Sequence, residues 1–340
     1  MSERSDFIEA CWGRPVSRTP VWIMRQAGRY LPQYREVRAG VSFLDLCRNP
    51  ELAAKVTLQP VDILGVDAAI LFSDILMPVE SMGVGLDFSP GPVLEKPVAT
   101  AADIATLRVP CVEEELSFVF DAVRILRAEL NGRVPLIGFC GAPFTLACYM
   151  VEGQGSKDFS RVKQMMFSAP DLFASLMEKI TETNRRYLNA QIDAGVQAVQ
   201  IFDTWGGLLA PADYETFIQP FTAKLIAGLN RAKVPVILFV KGGGTMLDLV
   251  KQAGADVVGL DWHIPLDRAR DVLGTKVAVQ GNLDPSVLFG PTTVIEKAVR
   301  RILGENDGRP GHIFNLGHGI LPETPVDHVR FLVDRVHALT

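Results

Sequence analysis

Apolar positions in this chain follow two patterns. Eight short apolar, β-rich runs, at residues 21–24, 68–72, 135–139, 199–202, 235–240, 256–260, 277–280 and 313–316, end at polar or glycine-rich residues, and most are continuous rather than alternating. Continuous runs of this length predict strands buried on both faces, as in a parallel sheet. Between them apolar residues recur at helical spacing. Phe173, Leu176, Met177, Ile180, Tyr187 and Leu188 form one stripe, and Val329, Leu332, Val333 and Val336 another.

Punctuation supports these helices. Asn49-Pro50-Glu51 combines an N-cap, a proline at the first helical position and an early acid. Ser168-Ala169-Pro170-Asp171 and Thr324-Pro325-Val326-Asp327 are expected to cap the two striped helices. Pro60 is expected to kink or end its helix, and Gly65 and Gly195 to stop theirs. Strands alternating with helices eight times predict a single (β/α)8 TIM barrel over residues 1–340, in the α/β class. The chain exceeds a minimal barrel of ~250 residues. The excess falls in residues 75–133, where Pro78, Pro90, Pro92 and Pro97 mark an irregular insertion between strands two and three. A doubly wound open sheet is the alternative fold.

Active sites of such barrels lie at the carboxyl ends of the strands. Strand one delivers Arg25 and, past Gly28, Arg29; two guanidiniums at a strand edge suit carboxylates or phosphates. Strand two delivers Asp74 into apolar surroundings, where a carboxylate is costly unless it meets donors; capping a helix is its simpler role. Tyr149 follows strand three, Thr204 strand four, Lys241 strand five, and His318, between two glycines, strand eight. Lys241-Gly242-Gly243-Gly244 lacks P-loop spacing and reads as an ordinary loop, and His312 reads as structural.

Composition narrows the chemistry. A net charge of −5 argues against a nucleic-acid binder or a membrane-surface protein, though not against a local cationic pocket. Five cysteines without a CxxC pair fit reduced thiols in a cytoplasmic protein. The start of the chain lacks the apolar segment of a signal peptide, and no apolar run is long enough to span a bilayer. HExxH, a nucleophile elbow and a GxGxxG after the first strand are all absent, so zinc-hydrolase, serine-hydrolase and dinucleotide readings lack support.

Several motifs together resemble one family, the uroporphyrinogen decarboxylases of tetrapyrrole biosynthesis. They are Arg25-Gln26-Ala27-Gly28-Arg29-Tyr30-Leu31-Pro32, Phe72-Ser73-Asp74-Ile75-Leu76, Gly141-Ala142-Pro143-Phe144-Thr145-Leu146, Tyr149-Met150-Val151-Glu152-Gly153, Phe202-Asp203-Thr204-Trp205, Gln280-Gly281-Asn282-Leu283-Asp284-Pro285 and Asn315-Leu316-Gly317-His318-Gly319. The resemblance implies a barrel, usually a homodimer, that uses neither metal nor organic cofactor. It implies conversion of the four acetate side chains of uroporphyrinogen III to methyls, giving coproporphyrinogen III. It places Arg25, Gln26, Ala27, Gly28, Arg29, Asp74, Tyr149, Thr204 and His318 against the tetrapyrrole, with Phe43 as an apolar wall. Asp74, Arg25, Arg29 and His318 are the implied catalytic candidates, the identity of the proton donor staying open among the last three. Phe144 and Cys148 stand where tryptophan and threonine are frequent in the family. Two other readings remain at this stage: a zinc-dependent corrinoid methyltransferase, for which Lys241-Gly242-Gly243 replaces the expected His-x-Cys ligands, and a non-catalytic tetrapyrrole carrier.

Overall fold

The computed structural model describes residues 5–88 and 91–340. Pro90 and residues 1–4 lie outside the described residues. The strands are β1 (Ala69–Ile70), β2 (Leu86–Phe88), β3 (Pro92–Leu94), β4 (Leu136–Gly141), β5 (Ala198–Asp203), β6 (Val236–Val240), β7 (Val257–Gly259), β8 (Ala278–Gln280) and β9 (His312–Ile313). Seven form one parallel sheet in the order β1-β4-β5-β6-β7-β8-β9, and β2 and β3 form a separate antiparallel pair. Every residue of β4 and β6 is buried, as continuous apolar runs require of strands covered on both faces.

The sheet curls. Three side chains cross its interior: the Trp22 indole N–H donates to Gln280 Oε1 of β8 at 2.9 Å, and Gln280 Nε2 donates to Gln200 Oε1 of β5 at 3.1 Å. The segment expected as strand one meets both edges. Val21 bridges Phe314 beyond β9, and the Val21 carbonyl accepts from the Asp67 N–H just before β1 at 2.8 Å. This contact is a single bridge rather than a ladder. Gln26 completes it with its side chain, accepting from the Ile23 N–H at 3.0 Å and donating to the Ala68 carbonyl at 3.0 Å. Asp67 clamps the same point, accepting from Val21 N, Arg18 and His337 Nε2.

β1 stops early, and helices take over its hydrogen bonds. The Phe72 N–H donates to Thr57 Oγ1 on the helix Pro50–Leu64 at 2.9 Å. The long helix Pro170–Ala194 uses Gln191 to satisfy both the N–H and the carbonyl of Phe139 on β4, each at 3.0 Å. Gly138 makes this possible, since a Cβ there would lie 2.5 Å from Gln191 Oε1. Freed from the ladder, residues 72–76 swing out and carry Asp74 over the end of the sheet.

Local expectations fared unevenly. Asn49 caps its helix, accepting from Leu52 N at 2.9 Å, and Gly65 and Gly195 end theirs in the left-handed conformation. The helix does not end at Pro60; it runs on to Leu64. Ser168 closes the preceding helix by donating to the Gln164 carbonyl, and Ala169, with no side chain to cap, precedes Pro170. Likewise Pro325, not Thr324, stands at the cap of Val326–Leu339. In both cases proline at or near the first turn starts the helix, because it lacks the N–H that a cap would satisfy. The stretch 75–133 is more ordered than expected: it holds the β2–β3 pair and several helices, among them Ser117–Leu130.

Candidate active site

Carboxyl ends of the strands converge on one mouth. Its floor is a row of aromatic side chains from successive strands: Phe139 of β4 meets Phe202 of β5 at 5.7 Å, Phe202 meets Phe239 of β6 at 6.4 Å, and the Phe239 ring stacks at 6.1 Å and 11° on His318. On another side Phe72 contacts Tyr34 and Phe43, and Phe43 contacts Phe88. Tyr149, on the helix Pro143–Glu152, lies edge-on to Trp205 at 6.3 Å. A flat apolar molecule thus meets ring faces and edges below and beside it.

Arg25 enters this mouth in an unusual backbone state, with φ of 64°. A left-handed non-glycine residue costs about 1 kcal/mol and persists only where its neighbours over-determine it. Here the Met24 N–H donates to Asn315 Oδ1 at 2.9 Å, the Ile320 N–H donates to the Met24 carbonyl at 2.9 Å, and the Gln26 N–H donates to the Ile23 carbonyl at 2.8 Å. The side chain then crosses Gly319, where a Cβ would fall 2.3 Å from Arg25 Cδ. Gly28 is required by the same turn, since a Cβ would approach the Arg25 carbonyl to 2.9 Å. Arg29 is exposed, and Ala27 and Gly28 are half-buried. Neither Arg25 nor Arg29 has an ion-pair partner among the described residues. Gln26 is different: it is fully buried and its amide is spent on the closure, so it braces the arginine loop from behind.

Asp74 does not cap the helix that follows, which starts after Leu76 without a side-chain cap. Its Oδ1 accepts from the Leu76 N–H at 2.9 Å, which holds the turn, while Oδ2 has no hydrogen bond among the described residues. Desolvation raises its pKa to about 6, against the lowering effects of the Leu76 hydrogen bond and the Arg25 charge. Burial raises the Tyr149 hydroxyl, which also feels Asp74 and Arg25. His318 is held down to about 3, by burial first and then by the charges of Arg25 and Lys241, so it is a neutral imidazole in the free protein. Its Nδ1 is buried without a hydrogen-bond partner among the described residues. Thr204 is half-buried and its hydroxyl is not spent on local backbone. Arg25, Asp74, Tyr149 and His318 therefore act on one another electrically, although they come from four separate stretches.

Three groups escaped the sequence reading. The aromatic floor is one; its signal was a phenylalanine at an inward position near the end of β4, β5 and β6. The role of Lys241 is the second: placed at the end of strand five but read as part of an ordinary loop, it has a charge that reaches His318. The third is a buried pair, Thr145 Oγ1 donating to Asp203 Oδ1 at 2.8 Å and accepting from Trp205 N at 3.3 Å, with Asp203 raised by burial to about 6. It fixes the turn that carries Thr204 and Trp205.

Comparison with known proteins is direct. The sequence profile of the family described as uroporphyrinogen decarboxylase matches residues 2–339. The chain belongs to the uroporphyrinogen decarboxylase family. The uroporphyrinogen decarboxylase of Trichlorobacter lovleyi is 66% identical over 334 residues, covering 98% of each chain. That of Geobacter sulfurreducens is 65% identical over the same length and coverage. Among solved structures, a methyltransferase from Methanosarcina mazei superposes with a TM-score of 0.84 at 23% identity, covering 98% of both chains. A putative vitamin-B12-independent methionine synthase from Listeria monocytogenes gives 0.60 at 14% identity, covering 97% of this chain and 98% of its own. At such identities these two speak to fold alone. The two decarboxylases, by contrast, share about two-thirds of their residues with this chain over 98% of its length.

Proposed function

We propose that this chain is a carboxy-lyase that converts the four acetate side chains of uroporphyrinogen III to methyls, giving coproporphyrinogen III for haem biosynthesis. The observation that carries this reading is end-to-end identity of about two-thirds to decarboxylases of that name. The unpaired arginines and open carboxylate oxygen over an aromatic floor support it. We read the curled sheet and the Val21 segment as one closed eight-stranded barrel forming a single domain, with the 75–133 stretch as its insertion, and the protein as a cytoplasmic homodimer.

The chemistry asks little of a cofactor. Protonating a pyrrole at the α-carbon beside an acetate creates an iminium-like cation; breaking the bond to carbon dioxide sends its electron pair into that cation and leaves an exocyclic methylene, a second proton on the methylene carbon makes the methyl, and loss of the first proton from the α-carbon restores the aromatic ring. The substrate is its own electron sink. In this reading Asp74 accepts pyrrole N–H bonds through its free Oδ2 and, ionised, opposes the cation. Arg25 and Arg29, shaped by Ala27 and Gly28, grip carboxylates. Tyr149, Thr204 and neutral His318 offer hydrogen bonds around the macrocycle, and Phe43 adds apolar wall.

The test is anaerobic incubation with enzymatically generated uroporphyrinogen, then oxidation and chromatography. Porphyrins descending from eight carboxylates to four are expected. Folded protein that produces no descent overturns the reading, and binding without turnover leaves a carrier.

A further inference from the structure

The seven-stranded order and the two edge contacts of the Val21 segment place Arg25 and Lys241 at opposite sides of the mouth. Counting from the Val21 segment, β6 is the fourth strand reached through β1, β4 and β5, and also the fourth reached through β9, β8 and β7. Lys241 directly follows β6. Its N–H donates to the Asp203 carbonyl at 3.0 Å, extending the ladder by one residue, and its carbonyl accepts from the Gly207 N–H at 3.1 Å. Gly207 allows this approach, as a Cβ there would lie 2.2 Å from the Lys241 carbonyl oxygen. The backbone origin of the side chain is therefore fixed.

Direction follows from strand alternation. Phe239, two residues earlier, turns its ring onto His318 and Phe202, into the mouth. Val240, between them, packs the other way, against Gly206 and Gly243. Lys241 shares the face of Phe239. Nothing there neutralises it: among the described residues it has no ion pair. Asp261, whose charge also reaches the His318 ring, is occupied by the N–H groups of Gly242 and His263 and by the His263 ring. The Lys241 charge nonetheless reaches the His318 ring, as that of Arg25 does. A half-buried ammonium with no ion pair among the described residues suits an anionic group.

We propose that the Lys241 ammonium binds a side-chain carboxylate of the tetrapyrrole at the rim opposite Arg25, so that the macrocycle is held from both sides above Phe202 and Phe239. This rests on the decarboxylase reading, which supplies a disc-shaped substrate with carboxylates around its whole edge. A point charge on a flexible stem suits a rim whose carboxylates differ in length.

The experiment compares wild type, Lys241→Gln and Lys241→Arg. Decarboxylation kinetics are measured with uroporphyrinogen, and equilibrium binding with the stable oxidised uroporphyrin, read by quenching of tryptophan fluorescence. Lys241→Gln is expected to raise KM and the uroporphyrin Kd about tenfold or more, with kcat changed less than about threefold, the signature of lost uniform binding. Lys241→Arg is expected to restore both within about threefold, and all three proteins to melt alike. If wild type binds and turns over while Lys241→Gln matches it in KM and Kd, the Lys241 assignment is wrong and the decarboxylase reading stands. If Lys241→Gln is impaired and Lys241→Arg equally so, the ammonium is not acting as a replaceable cation and the assignment is again overturned. If wild type neither binds uroporphyrin nor decarboxylates, the functional reading fails and takes this one with it.

Discussion

Arg25 lies directly across Gly319: the position a Cβ would occupy on Gly319 is 2.3 Å from Arg25 Cδ and 2.8 Å from its Nε. The glycine is a slot for the arginine stem. Gly319→Ala is therefore a lesion aimed at the guanidinium's position. Gly319 lies outside the positive-φ glycines, so alanine strains no backbone there. Flexible side-chain atoms can yield, and the fold is expected to survive with a loss of stability under about 1 kcal/mol. Steady-state kinetics should show kcat/KM down roughly tenfold to a hundredfold, approaching the loss in Arg25→Ala, because misplacing a charged contact by an ångström forfeits most of its value. An unimpaired Gly319→Ala enzyme would mean that Arg25 works from elsewhere.

Asp74 is expected to set the acid limb of activity. Its pKa is raised to about 6 by desolvation, so it is neutral below that pH and anionic above it. If the anion opposes the substrate cation, kcat/KM should rise with pH through about 6 and level off near 7. Asp203 is also held near 6 and is a rival source of such a limb. Thr145→Val separates them. It removes the donor that lowers Asp203, moving that group upward, and leaves Asp74 alone. The limb is expected to stay near 6 in Thr145→Val and to vanish in Asp74→Asn along with at least about a hundredfold of kcat. A limb that follows Thr145→Val upward assigns it to Asp203.

The strand-end residues were legible because each interrupts an apolar run: Arg25, Asp74, Thr204 and His318 stand out by contrast alone, and Tyr149 by its motif. What stayed hidden depends on registers that sequence does not display. Thr145 and Asp203 are 58 positions apart and meet only once β4 and β5 pair. Phe139, Phe202 and Phe239 look like any core phenylalanine until strand parity points them toward one mouth. Gln26 looked like part of the binding loop, yet the single-bridge closure at Val21 leaves backbone groups that only its amide reaches. Ser168 and Thr324 misled because a hydroxyl one or two residues before proline also fits a cap, and only the preceding turn decides.

Thr145 also predicts a stability change. Its hydroxyl donates to a fully buried carboxylate and accepts from Trp205 N, and no water-facing route replaces either bond. Thr145→Val keeps the shape and deletes both. A buried acceptor left short of a donor costs about 1–3 kcal/mol, and chemical unfolding should report a loss in that range. Thr145→Ser, which keeps the hydroxyl, should recover most of it. Equal stability of the valine variant would show that Asp203 is satisfied without Thr145.

His312 makes acid stability a test of the closure. The imidazole is buried, with Nε2 3.0 Å from the Gly281 carbonyl, and its pKa is lowered to about 4, chiefly by desolvation and further by the Arg270 charge. The folded state thus prefers the neutral ring, whereas the unfolded chain titrates near 6.5. Stability from this group is complete above about pH 6.5, declines as pH falls toward 4, and is lost below that; the span amounts to about 3 kcal/mol at most. His318, held near 3, acts in the same direction, while Asp74 and Asp203, raised to about 6, gain stability as pH falls through that window. The wild-type curve alone therefore conceals the effect. His312→Gln exposes it, because glutamine keeps a donor for Gly281 and does not titrate. Urea unfolding of both proteins should find the variant less stable at pH 7.5, with the difference shrinking by up to about 3 kcal/mol on going to pH 4. A difference that does not change with pH would mean that His312 is protonated at no cost in the folded protein, and that its place between β8 and β9 is not sealed.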